Sequence, residues 1–202
     1  MDLLDVHTHN PDALRAVISV RPWQFAPKPG KVYSVGIHPW DVAGLGGCEM
    51  ETLRAVAADC AVVAIGECGI DKLRGGDLKT QVAVTEAHIE LSERLGKPLI
   101  IHCVRAVNEI VALHRRFRPR QQWVIHGFRG SSGAARSLLA CEGVNLSFGE
   151  RFPAAAVEIT PVGRLYVETD ESSLPIEEIA APIAALKGCP VEALRAGRLL
   201  GR

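Results

Sequence analysis

Short apolar runs recur along this chain, and a polar residue able to bind a metal repeatedly stands at or just past the end of one. Eight runs read as strands: Leu3–His7, Ala16–Val20, Val32–Ile37, Val62–Gly66, Leu99–His102, Trp123–His126, Val144–Phe148 and Leu165–Glu168. Most are continuous and rich in β-branched residues, the pattern of parallel strands buried on both faces. Between the later ones the period changes to that of a helix. In Gln81–Leu95 the residues Val84, Ala87, His88, Leu91 and Leu95 share one stripe, which Gly96-Lys97-Pro98 then stops. Met50–Ala58, Asn108–Phe117 and Ala134–Cys141 read the same way. Strands alternating with helices predict a parallel sheet, and eight of them predict an α/β fold of the TIM (β/α) barrel type. The front is reduced. Only Asn10–Arg15 join the first two strands, too few for a crossover helix, and Arg21–Lys31 carry three prolines. The expectation is a distorted, shortened barrel lacking one or two outer helices and forming a single domain over 1–202. Ile176–Leu186 and Val191–Leu200 are expected as helices packed across its outside.

Parallel strands closed into a barrel bring their C-terminal ends to one face. His7 and His9, two apart on an extended strand, point the same way there. Glu67, His102, His126 and Asp170 follow later runs, so the barrel mouth collects four imidazoles and two carboxylates. That set suits two divalent ions, with Zn²⁺ or Mn²⁺ preferred over Mg²⁺ by the nitrogen count, and Glu67 is able to bridge them. His38 ends Val35-Gly36-Ile37 and reads as a substrate or supporting residue. Asp71 either orients a ligand or caps a turn, and Glu168 faces the same way as Asp170. Cys68 and Cys103 alternate away from the ligands and read as packing residues, and His88 as a core histidine.

Composition adds limits more than direction. Lys plus Arg and Asp plus Glu both number 23 in 202 residues, so no global field draws in a polyanion. The six cysteines form no CxxC pair, no secretory leader precedes Asp5, and no apolar run approaches the roughly 18 residues of a membrane span. A cytoplasmic, non-membrane protein with reduced thiols is expected. The basic run from His114 to Arg120 precedes a strand and belongs to the barrel's bottom. Lys72, Arg74, Arg105, Arg129 and Arg151 follow strands and should ring the mouth.

HTH at 7–9, GIHPW at 36–40, GECGID at 66–71, IHC at 101–103, HGF at 126–128 and ETD at 168–170 together resemble the TatD-type metal-dependent hydrolases, in a short form. The resemblance implies a distorted barrel of the amidohydrolase superfamily that hydrolyses phosphodiesters, often as a deoxyribonuclease or exonuclease. It implies that His7 and His9 hold one ion, Glu67 bridges, and His102 and His126 hold the second. Asp170 would bind the first ion and handle the water proton, so Asp170 and Glu67 are the catalytic candidates. His38, Lys72, Arg105 and Arg129 are the substrate-binding candidates. The chain departs from longer members by carrying Val104 where they place an arginine, with Arg105 one position later. DNA or a small phosphodiester is the expected partner of a monomer. A hydrolase of amides, lactones or small phosphate esters is the alternative, because one fold hosts many chemistries.

Overall fold

A computed structural model describes residues 4–200 of the chain; Leu3, the first residue of the first predicted strand, lies outside them. Eight parallel strands follow one another around a closed barrel: β1 (Asp5–Thr8), β2 (Ala16–Val20), β3 (Val32–Val35), β4 (Val62–Asp71), β5 (Leu99–Val104), β6 (Trp123–Ile125), β7 (Val144–Phe148) and β8 (Leu165–Val167). β8 pairs with β1, so no edge is left open.

The helices are α1 (Glu49–Val56), α2 (Leu78–Leu95), α3 (Val107–Phe117), α4 (Ser132–Leu139), α5 (Ala154–Ile159) and α6 (Ile176–Lys187). They follow β3 to β8 in turn. Among the described residues β1 and β2 are followed by no α-helix, as the short and proline-rich connections require. α2 begins at Leu78, three residues before the predicted start at Gln81, because the Asp77 carboxylate accepts a hydrogen bond from the Thr80 backbone N–H at 3.0 Å. α5 is six residues long, too short to show a helical stripe in the sequence.

Side chains alternate between two apolar layers. Ile65, Cys68, Leu99, Ile101, Trp123, Ile125, Leu146 and Val167 face the helices. Val6, Val17, Val32, Ala64, Ile100, Val124 and Tyr166 fill the barrel itself. Ala196 and Leu199 join that inner cluster, which corrects the expectation for Val191–Leu200. This segment forms two 3₁₀ turns, Val191–Leu194 and Ala196–Leu200, and the second one plugs the barrel instead of lying across its outside. A small barrel leaves apolar interior to cover, and the chain end covers it.

β4 runs four residues beyond Glu67, so Glu67 sits within the strand and not at its end. Its aim comes from an irregularity. Ile65 pairs with Leu99 but Cys68 pairs with Ile101, three residues on one strand against two on the other. Strict alternation from the outward Ile65 would turn Glu67 outward; the extra residue sends Glu67 inward while Cys68 returns to the outer layer. Gly66 makes this possible at φ 126°, where a Cβ would stand 2.3 Å from the Ile100 carbonyl oxygen. The Gly66–Glu67 peptide is cis.

Candidate metal centre

The polar residues converge at the C-terminal mouth. β1 carries His7 there, His9 follows one residue past its end, and Asp170 is laced between them. Its N–H donates to the His7 carbonyl and its carbonyl accepts from the His9 N–H, both at 3.0 Å. Asp170 adopts φ 53°, a turn that brings its carboxylate back toward the two imidazoles. The Asp5 carboxylate braces the same junction, accepting from the Thr169 N–H at 3.1 Å and hydroxyl at 2.7 Å. Sequence reading missed Asp5; its place two residues before His7 was the available signal.

Glu67 stands at the centre, and its two oxygens face different partners. Oε2 lies 3.4 Å from Nε2 of both His7 and His9. Oε1 lies 2.7 Å from His126 Nε2, 2.9 Å from His102 Nδ1 and 3.0 Å from His38 Nε2. Asp170 Oδ1 is 3.8 and 3.7 Å from Nε2 of His7 and His9. All six predicted ligands therefore meet in one pocket. His38 belongs to it as directly as the others, closer in than a residue that merely lines the approach.

Donor atoms within 4.8 Å of one another form four overlapping sets: His7, Glu67 and His126; His7, His9 and Asp170; His38, Glu67 and His102; His126, Glu168 and Asp170. Both nitrogens of His7, Oε2 of Glu67 and Oε2 of Glu168 are buried without a hydrogen-bond partner. Buried polar atoms are rarely left so, and imidazole nitrogens converging with carboxylate oxygens are the donors a transition metal takes. The residues fit a divalent cation.

Charge and burial oppose one another here. Burial by itself would raise the Glu67 carboxyl, but the His126 charge and hydrogen bonds from His102, His126 and His38 hold it well below the usual carboxylate range. Burial by itself would lower His126, yet the Glu67 and Glu168 carboxylates raise it well above an ordinary histidine. In His7 burial prevails, aided by His126, and the ring is pushed down. Neutral imidazole is the form that ligates metals.

A second layer holds the candidate ligands in place. His102 Nε2 lies 3.2 Å from Asp71 Oδ2, which also accepts from Trp40 Nε1 at 2.7 Å. Asp71 Oδ1 accepts from the Leu73 and Arg74 N–H groups at 2.8 and 3.2 Å, so Asp71 both orients a ligand and caps a turn. Gln81 anchors this loop through Asp71 N–H and the carbonyls of Asp71, Arg74 and Gly76. The sequence suggests that Pro39 and Trp40 fix the loop behind His38; the bond from Trp40 to Asp71 is what it does not show. Glu168 Oε1 accepts from the Gly127 N–H at 2.6 Å and lies 3.4 Å from His126 Nδ1.

The basic candidates are spread around the mouth. Arg105 and Arg129 are exposed, the first just past the end of β5 and the second three residues past His126. Lys72 pairs with Glu109 at 2.5 Å, in the first turn of α3. The bottom run is engaged elsewhere, with Arg116 paired to Glu86 and Arg120 to Glu93. Cys68 and Cys103 pack away from the ligands, and His88 is fully buried.

A sequence model of the family described as TatD related DNase matches residues 11–193. A 3'-5' ssDNA/RNA exonuclease TatD from Erwinia billingiae is 33% identical over 156 residues, 71% of this chain and 59% of that protein. A protein from Mycobacterium tuberculosis named as an uncharacterized metal-dependent hydrolase TatD is 31% identical over 153 residues, 69% of this chain and 58% of that one. The chain thus spans under two thirds of the length of these curated relatives. Among solved structures, the Escherichia coli K12 TatD homologue YJJV superimposes with a TM-score of 0.81 over 98% of this chain and 95% of that one, at 21% identity. A hydrolase TatD family protein from Entamoeba histolytica reaches 0.73 over 100% and 96%, at 15% identity. These two likenesses show the fold, a TIM-type barrel.

Proposed function

From the premise that this chain belongs to the TatD related DNase family, we propose that it is a metal-dependent phosphodiesterase acting on DNA or a small phosphodiester. The observation that carries this reading is the division of Glu67, whose Oε2 faces His7 and His9 while Oε1 faces His38, His102 and His126. A carboxylate so divided suits a bridge between two cations, with His7, His9 and Asp170 holding one and His102 and His126 the other. Bound divalent ions, Zn²⁺ or Mn²⁺ by the donor set, would bring a water's pKa toward neutrality and offset charge on the phosphate.

The chain's own residues supply the rest. Asp170, with 27% of its side chain exposed, can accept the water's proton at its carboxylate as general base. Glu67 and Glu168 keep His126 fixed, and Asp71 does so for His102. His38, Arg105, Arg129 and Lys72 would orient the phosphate. The cationic rim favours a phosphate ester over an amide or lactone. No helix among the described residues is long and apolar enough to cross a membrane, and the six cysteines are unpaired, which suits a reducing cytoplasm. One domain would act as a monomer.

Removing metal with a chelator should abolish hydrolysis of single-stranded DNA, and Mn²⁺ or Zn²⁺ should restore it. Asp170→Asn and Glu67→Gln should each lower kcat by a factor of roughly 10³ or more with the fold intact by circular dichroism. Wild-type turnover in either variant would refute the assignment.

A further inference from the structure

Trp40 is a large aromatic left 40% exposed beside the centre, whereas Trp123, beneath the helices, is 1% exposed. Two hydrogen bonds hold Trp40. Its Nε1 donates to Asp71 and its backbone N–H donates to His38 Nδ1 at 3.1 Å. The ring stands edge-on to His38, with centroids 4.7 Å apart, and 5.9 Å from the His102 ring. The Arg74 guanidinium lies over the indole, 4.0 Å from its centroid. Gly75 lets that loop close in: at φ 92°, any Cβ there would stand 2.3 Å from the Pro39 carbonyl oxygen. Asp71, Lys72, Arg74 and Gly76, on the loop that carries the guanidinium, line a groove of about 410 Å³.

We propose that Trp40 and Arg74 form a stacking platform for the nucleobase next to the scissile phosphodiester. This deepens the phosphodiesterase reading and rests on it, by naming a base-bearing nucleic acid strand as the substrate. Indole faces and guanidinium planes both stack on bases, and such contacts tolerate any sequence because every base has a π face. The platform touches the rings of the site, so a nucleotide whose phosphate lies at Glu67 can reach it with its own base. An amide, lactone or simple phosphate ester would have no use for a flat, pre-oriented aromatic carrying a cation.

The test compares a dye-labelled pentathymidylate with the same strand stripped of its bases, by anisotropy on Mn²⁺-loaded protein carrying Asp170→Asn to prevent cleavage. Bases should tighten binding by at least about tenfold. That advantage should vanish in Trp40→Leu, weaken in Arg74→Ala, and survive in Trp40→Phe, which keeps a ring but not the bond to Asp71. An advantage retained in Trp40→Leu overturns the platform, leaving the indole as a support for Asp71; so does equal binding of the two strands. Cleavage of the base-bearing strand by protein with Asp170 intact tests the phosphodiesterase reading separately, since the platform can bind bases even where nothing is cut.

Discussion

His88 Nε2 accepts a hydrogen bond from the Ile37 backbone N–H at 2.9 Å, tying α2 to the residue just before His38. Its Nδ1 donates to the Val84 carbonyl at 2.7 Å, so the ring is neutral with the proton on Nδ1. Burial pushes its pKa from 6.5 down to about 4, only partly offset by the Val84 carbonyl. The unfolded chain takes up this proton near pH 6.5 and the folded chain only near pH 4. The stability contribution is therefore whole above pH 6.5 and lost as pH falls toward 4, by roughly 3 kcal/mol. Urea melts at pH 7 and pH 4.5 should show a smaller acid loss in His88→Gln than in wild type. Equal losses would remove His88 as the cause.

Gly66 and Ile100 leave no space for a methyl group. Gly66→Ala would bring a Cβ to 2.3 Å from the Ile100 carbonyl oxygen in a backbone region that L residues avoid. A cost of roughly 2–4 kcal/mol is expected, together with reduced metal uptake as Glu67 loses its aim. Denaturation midpoints and metal stoichiometry report the two effects, and an unchanged midpoint would rule out the close-approach explanation.

Glu168 supports His126 from behind. Burial would raise its carboxyl, but the hydrogen bond and charge of His126 bring it below the usual value, so it stays an anion. Glu168→Gln preserves an acceptor for the Gly127 N–H while removing that charge. Metal affinity should fall 10–100-fold with little change in melting temperature. If competition against a chelating dye reads the same affinity, Glu168 serves only to hold the Gly127 backbone.

Arg105 and Arg129 lie just past the C-terminal ends of β5 and β6, at the mouth, whereas Arg118 ends α3 at the other side of the barrel. Replacing either of the first two with alanine should weaken single-stranded DNA binding. It should also reduce the slope of log K against log salt by about one. Arg118→Ala should alter neither. A matching loss at Arg118 would mean that the bottom face binds DNA.

The eight strands and most of the helices were legible in the chain because strands buried on both faces must be continuously apolar, while amphipathic helices must carry a stripe. The donor set was legible too, since residues spaced across 7–170 share a mouth once eight parallel strands close. What the chain could not announce depends on neighbours. Glu67 points inward because β4 has one more residue than β5 between shared pairings, a mismatch that exists only when both strands are side by side. Ala196 and Leu199 plug the barrel because its interior needed covering, not because of any period of their own. Trp40, Asp71 and His102 form one chain of contacts although they lie on three segments. Local pattern determines which residues are apolar and which can bind a metal; register and long-range hydrogen bonds decide where each one aims.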